Sequence, residues 1–192
     1  MEHSLVEFPW SLSHRWLNHS ESLYWKCLLQ SHLNWEQPLI RVFGKDHLVL
    51  RLTSFIGDKN ISYTYSGFTH FANYWPEWFI PLLEKVNIIS RIKFNGCLIN
   101  LYRNGNDHMG WHADNEKVLE SSSPITSLSL GATRDFCFKH REYSLREVLT
   151  LGNGDLLIMY PPCQNEWLHS IPKRKKILES RINLTFRRYL NS

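Results

Sequence analysis

Near its C-terminus the chain contains seven residues that alternate strictly between polar and apolar side chains. On a β-strand successive side chains point to opposite faces, so residues 181–187 would carry a polar row on one face and an apolar row on the other. The polar row is Arg181, Asn183, Thr185 and Arg187, and the apolar row is Ile182, Leu184 and Phe186. Because the two rows cannot face the same core, the polar row lies either on an exposed sheet face or inside a barrel that holds an anion.

Two arginines on one face of a strand are suited to a small dicarboxylate, because a guanidinium binds a carboxylate through two parallel hydrogen bonds. Asn100 and Tyr102, two residues apart in another predicted strand, could add neutral hydrogen-bond donors to the same ligand. An exposed strand remains the alternative explanation for Arg181 and Arg187.

The second half of the chain contains short predicted strands broken by Gly, Asn and Ser, which is typical of a sandwich, jelly roll or barrel. These strands are predicted at residues 97–103, 125–130, 135–139, 147–151, 154–160 and 181–189. The first half instead predicts helices at 20–33 and 76–87 and a hairpin at 39–45. We therefore expect a mainly β chain with helices (α+β), in which the N-terminal half leans on an all-β core.

The first predicted helix would begin at Ser20 or Ser22, since either side chain can cap a helix N-terminus. Its buried face would consist of Leu23, Cys27 and Leu28, which recur at helical spacing. The second helix is predicted from the spacing of its apolar side chains, despite Pro81.

Composition excludes several classes of protein. The 192 residues are 43% hydrophobic and 21% charged, which indicates one globular domain rather than a disordered or fibrous chain. No stretch approaches the ~18 apolar residues of a membrane span, and residues 1–16 lack a targeting pattern. The four cysteines are widely spaced, which excludes a Cys-rich zinc module and is typical of free thiols. We therefore expect an intracellular protein that does not bind membranes, cytoplasmic in a bacterium and nuclear in a eukaryote.

Positive charge is concentrated at the C-terminal end. Residues 171–192 contain seven Lys or Arg and one acid, so this segment has a net charge of +6. Because the whole chain has a net charge of +4, the remaining residues together carry −2. Its basic run at 173–176 either contacts phosphates, which would make binding salt-dependent, or is a solvated loop.

His112 and Asp114 are two residues apart, so on a strand both side chains would point to the same side. His169 is a further candidate ligand. Two histidines and one carboxylate can occupy one face of an octahedral iron and leave three positions for a co-substrate and oxygen. Each motif is weak alone, because His-x-Asp occurs by chance in many chains. An iron site and a dicarboxylate clamp in one chain nevertheless support each other.

Together these motifs resemble those of the AlkB family of iron(II)/2-oxoglutarate dioxygenases, over about residues 39–190. The similar segments are Asn100-x-Tyr102, His112-x-Asp114, His169 and Arg181-x-Asn183-x-Thr185-x-Arg187. Residues 41–45, 63–67 and 174–176 also resemble the animal members that repair duplex DNA. The resemblance implies a double-stranded β-helix (jelly-roll) core, the cofactor Fe(II), and the co-substrates 2-oxoglutarate and O2.

The resemblance also assigns roles to individual residues. The iron ligands would be His112, Asp114 and His169. The residues around 2-oxoglutarate would be Asn100, Tyr102, Arg181, Asn183, Thr185 and Arg187. Within that set, Arg181 would hold the distal carboxylate together with Asn100 and Tyr102. Arg187 would lie near the metal-chelating end.

A further set would contact nucleic acid: Val42, Phe43, Gly44, Tyr63, Tyr65, Glu116, Arg174, Lys175 and Lys176. The tip at 42–44 would fill the gap that a flipped base leaves in a duplex, because an apolar wedge compensates unstacking. A hairpin packed on the domain is the alternative. Tyr65 would stack on the flipped base opposite His112, unless it is a core tyrosine. Glu116 would read the polar edge of the base, and residues 174–176 would hold the DNA backbone.

Two departures from the duplex-repair pattern weaken a preference for duplex DNA. Segment 140–146 is shorter than the basic loop that the duplex-repair members have at this position. Asn115 occupies a position where those members have an acidic residue. By the same resemblance, residues 1–35 would form an N-terminal helical extension, 36–93 a nucleotide-recognition lid with its supporting helix, and 94–192 the dioxygenase core. Residues 36–192 would form one catalytic domain.

The resemblance implies an oxidative demethylase, active as a monomer, that repairs 1-methyladenine and 3-methylcytosine in duplex or single-stranded DNA, with RNA as a further partner. It would hydroxylate the methyl group and release formaldehyde. The alternatives are an RNA demethylase or a protein hydroxylase with the same iron chemistry. The third alternative is a nucleic-acid-binding module without catalytic activity. Such a protein would keep its biological activity after Asp114→Ala.

Overall fold

A computed structural model describes residues 8–37, 39–42, 45–65 and 68–190 of the chain. Its helices are α1 (His19–His32), α2 (Ile80–Ser90) and α3 (Pro162–Glu166), and a 3₁₀ helix (Glu77–Phe79) precedes α2. Its strands are β1 (Trp10–Ser13), β2 (Leu39–Val42), β3 (Lys45–Leu48), β4 (Leu52–Gly57), β5 (Ser62–Tyr65), β6 (Phe68–Phe71), β7 (Asn73–Tyr74), β8 (Gly96–Tyr102), β9 (Met109–His112), β10 (Ile125–Gly131), β11 (Arg134–His140), β12 (Arg146–Leu151), β13 (Leu156–Met159), β14 (Trp167–Ile171) and β15 (Arg181–Arg187).

Two largely antiparallel sheets form the core. The main sheet has seven strands in the order β1-β13-β10-β15-β8-β4-β7, and the minor sheet has four in the order β12-β11-β14-β9. The hairpins β2–β3 and β5–β6 form separate two-stranded sheets. The prediction of a mainly β chain with few helices is therefore confirmed.

Both rows of β15 are buried, on opposite faces of the main sheet. Its apolar row belongs to a core that also contains Leu29 of α1 and Leu82 of α2. Burying each such side chain stabilises the fold by about 1.5–3 kcal/mol. The helices therefore cover this face, and the polar row, also buried, lies on the other. An exposed strand face was the alternative for this row, and it is wrong.

Helix α1 begins near the predicted residue but has a different cap. The Asn18 side chain accepts from the Glu21 backbone N–H, and the Glu21 carboxylate accepts from the Asn18 N–H, both at 2.9 Å. This reciprocal capping box stabilises a helix start by about 1 kcal/mol. Ser20 and Ser22 lie inside the helix, so the prediction that one of them is the cap is wrong.

The predicted buried face of α1 is wrong for two of its three residues, whereas the third, Leu28, is half-buried against the core. Leu23 and Cys27 are exposed, and the buried residues are Ser22, Trp25 and Leu29. At Ser22 the helix lies so close to the Gly154 backbone that a Cβ at residue 154 would meet the Ser22 hydroxyl at 2.7 Å. This contact leaves room only for a small side chain on the helix. The close approach therefore determines that the Ser22 face of the helix packs inward.

Helix α2 confirms the second helix prediction, although it starts later, because the 3₁₀ helix occupies residues 77–79. Pro81 lies in the first turn, where a missing backbone N–H and a fixed φ suit a helix start. The helix ends at Arg91 in the left-handed conformation, with φ of 54°. None of the described helices combines the length and apolar character that a membrane crossing needs.

The predicted hairpin at 39–45 is present as β2 and β3, with Val42 paired to Lys45. Phe43 and Gly44 lie outside the described residues, as do the side chains of Val42, Tyr63 and Tyr65. The wedge and the stacking tyrosine therefore stay predictions.

The main sheet takes strands from all three predicted segments of the chain: β1 from 1–35, β4 and β7 from 36–93, and the other four strands from 94–192. Near β1, the Trp10 ring stacks on Phe138 of the minor sheet at 3.9 Å between centroids. The division of the chain at residues 35 and 93 stays a prediction.

Candidate metal and co-substrate site

The three candidate metal ligands meet at the end of the minor sheet. His112 ends β9 and is paired across the strands with His169 of β14, and Asp114 follows two residues later. The candidate ligand atoms all lie within 4.8 Å of one another. The Nε2 of His112 is 3.7 Å from Oδ1 of Asp114, and the two imidazole centroids are 4.2 Å apart. This spacing suits three ligands of one ion.

Each of the two imidazoles can offer a ring nitrogen to a metal. The Nδ1 of His112 lies 3.0 Å from the Gly110 carbonyl oxygen. Because a carbonyl only accepts, Nδ1 carries the hydrogen and the Nε2 lone pair is left for a metal. Burial, together with the neighbouring His112, lowers the pKa of His169 to about 3, so this ring is neutral. The buried Nδ1 of His169 has no hydrogen-bond partner. This donor set fits a divalent iron.

Asp114 is held as a carboxylate. Arg187, at the end of β15, donates from Nη2 to Asp114 Oδ1 at 2.8 Å. Burial opposes ionisation of Asp114, but the charge of Arg187, the two neighbouring histidines and the Arg187 hydrogen bond together outweigh it, and the pKa of the carboxyl lies well below its ordinary value. The backbone N–H of Asp114 donates to Gln164 Oε1 at 2.9 Å. The ligand is thus fixed through both its side chain and its backbone.

A cleft lies between the two sheets, and the candidate metal ligands open into it. Nine of the predicted site residues line it: Asn100, Tyr102, His112, Asp114, Glu116, His169, Asn183, Thr185 and Arg187. Strand pairing explains this convergence, because Asn183 is directly opposite Asn100 and Arg181 is directly opposite Tyr102. The polar row of β15 and the polar pair of β8 therefore share one face.

Arg181 is not among the residues that line the cleft. Its guanidinium carbon lies 5.5 Å from the centroid of the Tyr102 ring, and Nη2 donates to the Ser129 hydroxyl at 2.9 Å. The Nε and Nη1 atoms are buried without partners. Burial lowers the pKa of Arg181 to about 10, which leaves it charged near neutral pH. A buried cation with two unpartnered nitrogens fits the carboxylate of a small ligand.

Two other members of the β15 row are engaged with protein groups. Asn183 donates to the Ser127 hydroxyl at 2.7 Å, and the Thr185 hydroxyl donates to Asn183 Oδ1 at 3.2 Å. These contacts orient the floor of the cleft.

The predicted nucleic-acid contacts are divided between the cleft and the surface. Glu116 lines the cleft, and its Oε2 atom is buried without a partner. Arg174, Lys175 and Lys176 are exposed and do not line the cleft. Arg174 is paired with Asp135, at 2.6 Å from Nη2, so its charge is largely compensated.

Sequence reasoning missed two polar residues at this site. Arg51 lines the cleft, and its Nε donates to Asn100 Oδ1 at 2.6 Å. The sequence contains a pattern that could have identified Arg51, because residues 50–53 alternate between apolar and polar side chains as residues 181–187 do. Gln164 has no such signal, since its role depends only on a contact with the distant Asp114.

Comparison with known proteins identifies the family. The sequence matches the 2OG-Fe(II) oxygenase superfamily over residues 10–187. It is 43% identical over 163 residues to "DNA oxidative demethylase ALKBH2" of Homo sapiens, covering 79% of this chain and 61% of that protein. The same protein of Bos taurus is 42% identical over 163 residues, with 79% and 57% covered. The chain thus spans 57% to 61% of the length of these two relatives.

The fold comparison agrees. A solved structure described as "The structure of OsALKBH1" superposes with a TM-score of 0.67 at 18% identity, covering 96% of this chain and 99% of that chain. This likeness confirms the predicted jelly-roll fold. The resemblance to the AlkB family is confirmed, and Fe(II), 2-oxoglutarate and O2 are the cofactor set that the family implies. The chain belongs to the 2OG-Fe(II) oxygenase superfamily.

Proposed function

We propose that this chain is an oxidative demethylase that repairs 1-methyladenine and 3-methylcytosine in DNA and releases the methyl group as formaldehyde. The observation that carries the proposal is a single cleft that joins the His112–Asp114–His169 cluster, the carboxylate of Glu116 and three residues of the polar row of β15, namely Asn183, Thr185 and Arg187. The identity of 42% to 43% to two proteins named DNA oxidative demethylases supports DNA as the substrate.

His112, Asp114 and His169 would hold the metal on one side and leave the remaining positions for co-substrate and oxygen. When bound, Fe(II) with 2-oxoglutarate and O2 supplies the oxidation that places one oxygen atom in the methyl group and the other in succinate, with loss of CO2. Arg187 keeps Asp114 ionised, so the chain presents a permanent negative charge to the metal.

Arg181 would bind the distal carboxylate of 2-oxoglutarate, because it carries the two unpartnered nitrogens at the Tyr102 end of the row. Asn100 and Tyr102 would contact the same end of the ligand. Arg187 lies six residues further along the same face of β15, beside the metal ligands. The two arginines would therefore orient 2-oxoglutarate along the strand, with its chelating end toward the metal.

The methylated base would enter from the side of the two hairpins. Val49, which follows β3, and His70 of β6 both line the cleft. The N-methyl group makes the base cationic, and Glu116 offers a carboxylate oxygen without a partner inside the cleft. Opposite charges attract more strongly in a desolvated pocket than in water. Glu116 would therefore favour methylated over unmethylated bases.

The test is formaldehyde release from matched methylated oligonucleotides, supplied as duplex DNA, single-stranded DNA and RNA, with Fe(II) and 2-oxoglutarate. Release from DNA is expected, and Asp114→Ala should abolish it. Release from RNA alone would assign the chain to RNA. No release from any substrate, with metal shown to be bound, would contradict the proposal.

A second measurement tests the lid. Phe43→Ala should impair duplex DNA selectively if the tip at 42–44 fills the gap left by the flipped base. An equal effect on all substrates, or none, would contradict a wedge.

A further inference from the structure

One tryptophan does not serve core packing. The chain has eight tryptophans, all in the described residues, and seven of them are buried or half-buried. The exception is Trp111, whose side chain is 44% exposed. It lies on the edge strand of the minor sheet, directly before the metal ligand His112. A large exposed aromatic beside a functional cleft indicates a contact surface.

Trp111 lines a second groove that is continuous with the main cleft. The wall of this groove includes Trp111, the exposed Leu48 and the exposed Leu50. Four residues line both cavities: Val49, Arg51, Met109 and His112. A chain that places one unit in the main cleft can therefore continue into this groove.

The charge of the groove suits a polyanion. The residues that line it, all in the described part of the chain, include no acid; they include Arg51, His47 and His108. Lys139 extends over Trp111, with Nζ 5.6 Å from the ring centroid. An aromatic face with an ammonium group beside it matches the two parts of a nucleotide, the flat base and the phosphate.

We propose that Trp111 is a stacking platform for a nucleotide adjacent to the methylated base in the same strand, with Lys139 contacting the neighbouring phosphate. This inference rests on the proposed function, since it requires a nucleic acid strand in the main cleft. A base can stack on the indole only when one of its faces is uncovered. The contact is therefore stronger for a single strand than for a duplex, whose bases are already stacked on each other.

The experiment measures binding of the anaerobic enzyme, loaded with Fe(II) and 2-oxoglutarate, to fluorescent oligonucleotides of one sequence. Trp111→Ala should weaken binding to a single strand about tenfold, the effect expected from losing one base–aromatic stack, and should weaken duplex binding less. Trp111→Phe should recover part of the affinity. 2-Aminopurine placed next to the methylated position should be quenched by the wild type and not by Trp111→Ala.

Tyr74→Ala is the matched control. Tyr74 is also exposed and has a lysine over its ring, with Lys59 Nζ at 5.4 Å, but it lines neither cavity. This variant should bind like the wild type. Equal losses in both variants would overturn the proposal, because any exposed aromatic would then have the same effect.

Three other results would overturn it. Affinity of Trp111→Ala within about twofold of the wild type would exclude a stack. A change of oligomeric state in sedimentation would assign the groove to a second copy of the chain. Loss of metal affinity would assign Trp111 to the metal site. Binding is measured on unmethylated strands as well, so a Trp111 effect without formaldehyde release would contradict the demethylase proposal alone.

Discussion

Two buried arginines lie over the same aromatic ring. The guanidinium carbons of Arg134 and Arg181 lie 5.7 Å and 5.5 Å from the centroid of Tyr102. Their exposed fractions are 2% and 1%. Arg134 begins β11 of the minor sheet and Arg181 begins β15 of the main sheet. By position and burial the two side chains are close to equivalent.

Their hydrogen bonds are not equivalent. Arg134 donates to three backbone carbonyls, those of Asp107 at 2.9 Å, Pro172 at 2.8 Å and Asn104 at 3.3 Å. Its hydrogen bonds therefore connect the loop before β9 with the loop after β14. Arg181 makes one hydrogen bond, to Ser129, and leaves two nitrogens unpartnered. Arg134 leaves only Nε without a partner, and both of its terminal nitrogens bond to backbone, which is a structural role. Arg181 also leaves a terminal nitrogen without a partner, and a buried charge left short in this way indicates a ligand.

The largest effect is expected from Arg134→Met. The variant leaves three carbonyl groups without their charged donor, and each such hydrogen bond contributes about 1.5–3 kcal/mol. We expect the free energy of unfolding, measured with urea, to fall by about 4 kcal/mol. A loss below about 1 kcal/mol would contradict the structural role.

Arg181→Met should have the opposite effect, with a large loss of ligand affinity and little loss of stability. The affinity for 2-oxoglutarate, measured by calorimetry on Mn(II)-loaded protein, should fall about 100-fold, because two charge-assisted hydrogen bonds are lost. The free energy of unfolding should change by less than about 1 kcal/mol, because an under-satisfied buried charge is removed. Arg181→Lys should not restore the affinity, since an ammonium cannot form the two parallel bonds. A normal affinity in Arg181→Met would contradict the role assigned to this arginine.

The contrast also explains what the sequence could predict. The alternation at 181–187 is a local pattern, and it led to the buried polar row and to the strand. Helices α1 and α2, and the strands of at least six residues from β8 onward, were predicted to within a few residues because they too have local patterns, whereas α3 was not predicted. Strands β9 and β14, which bring His112 and His169 together, are short and lack a clear alternation. They were not predicted as strands, although their histidines were candidate iron ligands that the family resemblance then supported.

Properties that depend on distant contacts were beyond the sequence. Nothing near Arg134 in the chain indicates that its partners are carbonyls of residues 104, 107 and 172. The inward face of α1 was assigned to Leu23, Cys27 and Leu28, whereas close approach to Gly154 places Ser22 there. In both cases tertiary geometry determined the role of the residue.

The smallest predicted effect is that of Gln164→Ala. Gln164 combines the structural role of Arg134 with the role of Arg181 at the candidate site. Like Arg134 it has its hydrogen bonds within the protein, accepting from the Asp114 N–H at 2.9 Å and contacting Met159 Sδ at 3.5 Å. Like Arg181 it contacts the candidate site, since it holds the backbone of the candidate metal ligand Asp114. It also lies on α3, directly before the strand of His169. We expect Gln164→Ala to lower metal affinity about tenfold, the lower end for a residue that supports a metal ligand.

Competitive titration with Co(II) would measure this affinity, and the free energy of unfolding would be measured on the same samples. Gln30→Ala is a suitable control, because Gln30 is an exposed glutamine of α1 that does not line the cleft. The loss of stability in Gln164→Ala should be about 1 kcal/mol, the contribution of one neutral hydrogen bond. If stability falls while metal affinity stays normal, Gln164 belongs with Arg134 as a purely structural residue. If metal affinity falls as predicted, the backbone of Asp114 must be held in place for the metal to bind, and a satisfied hydrogen bond is then part of the site.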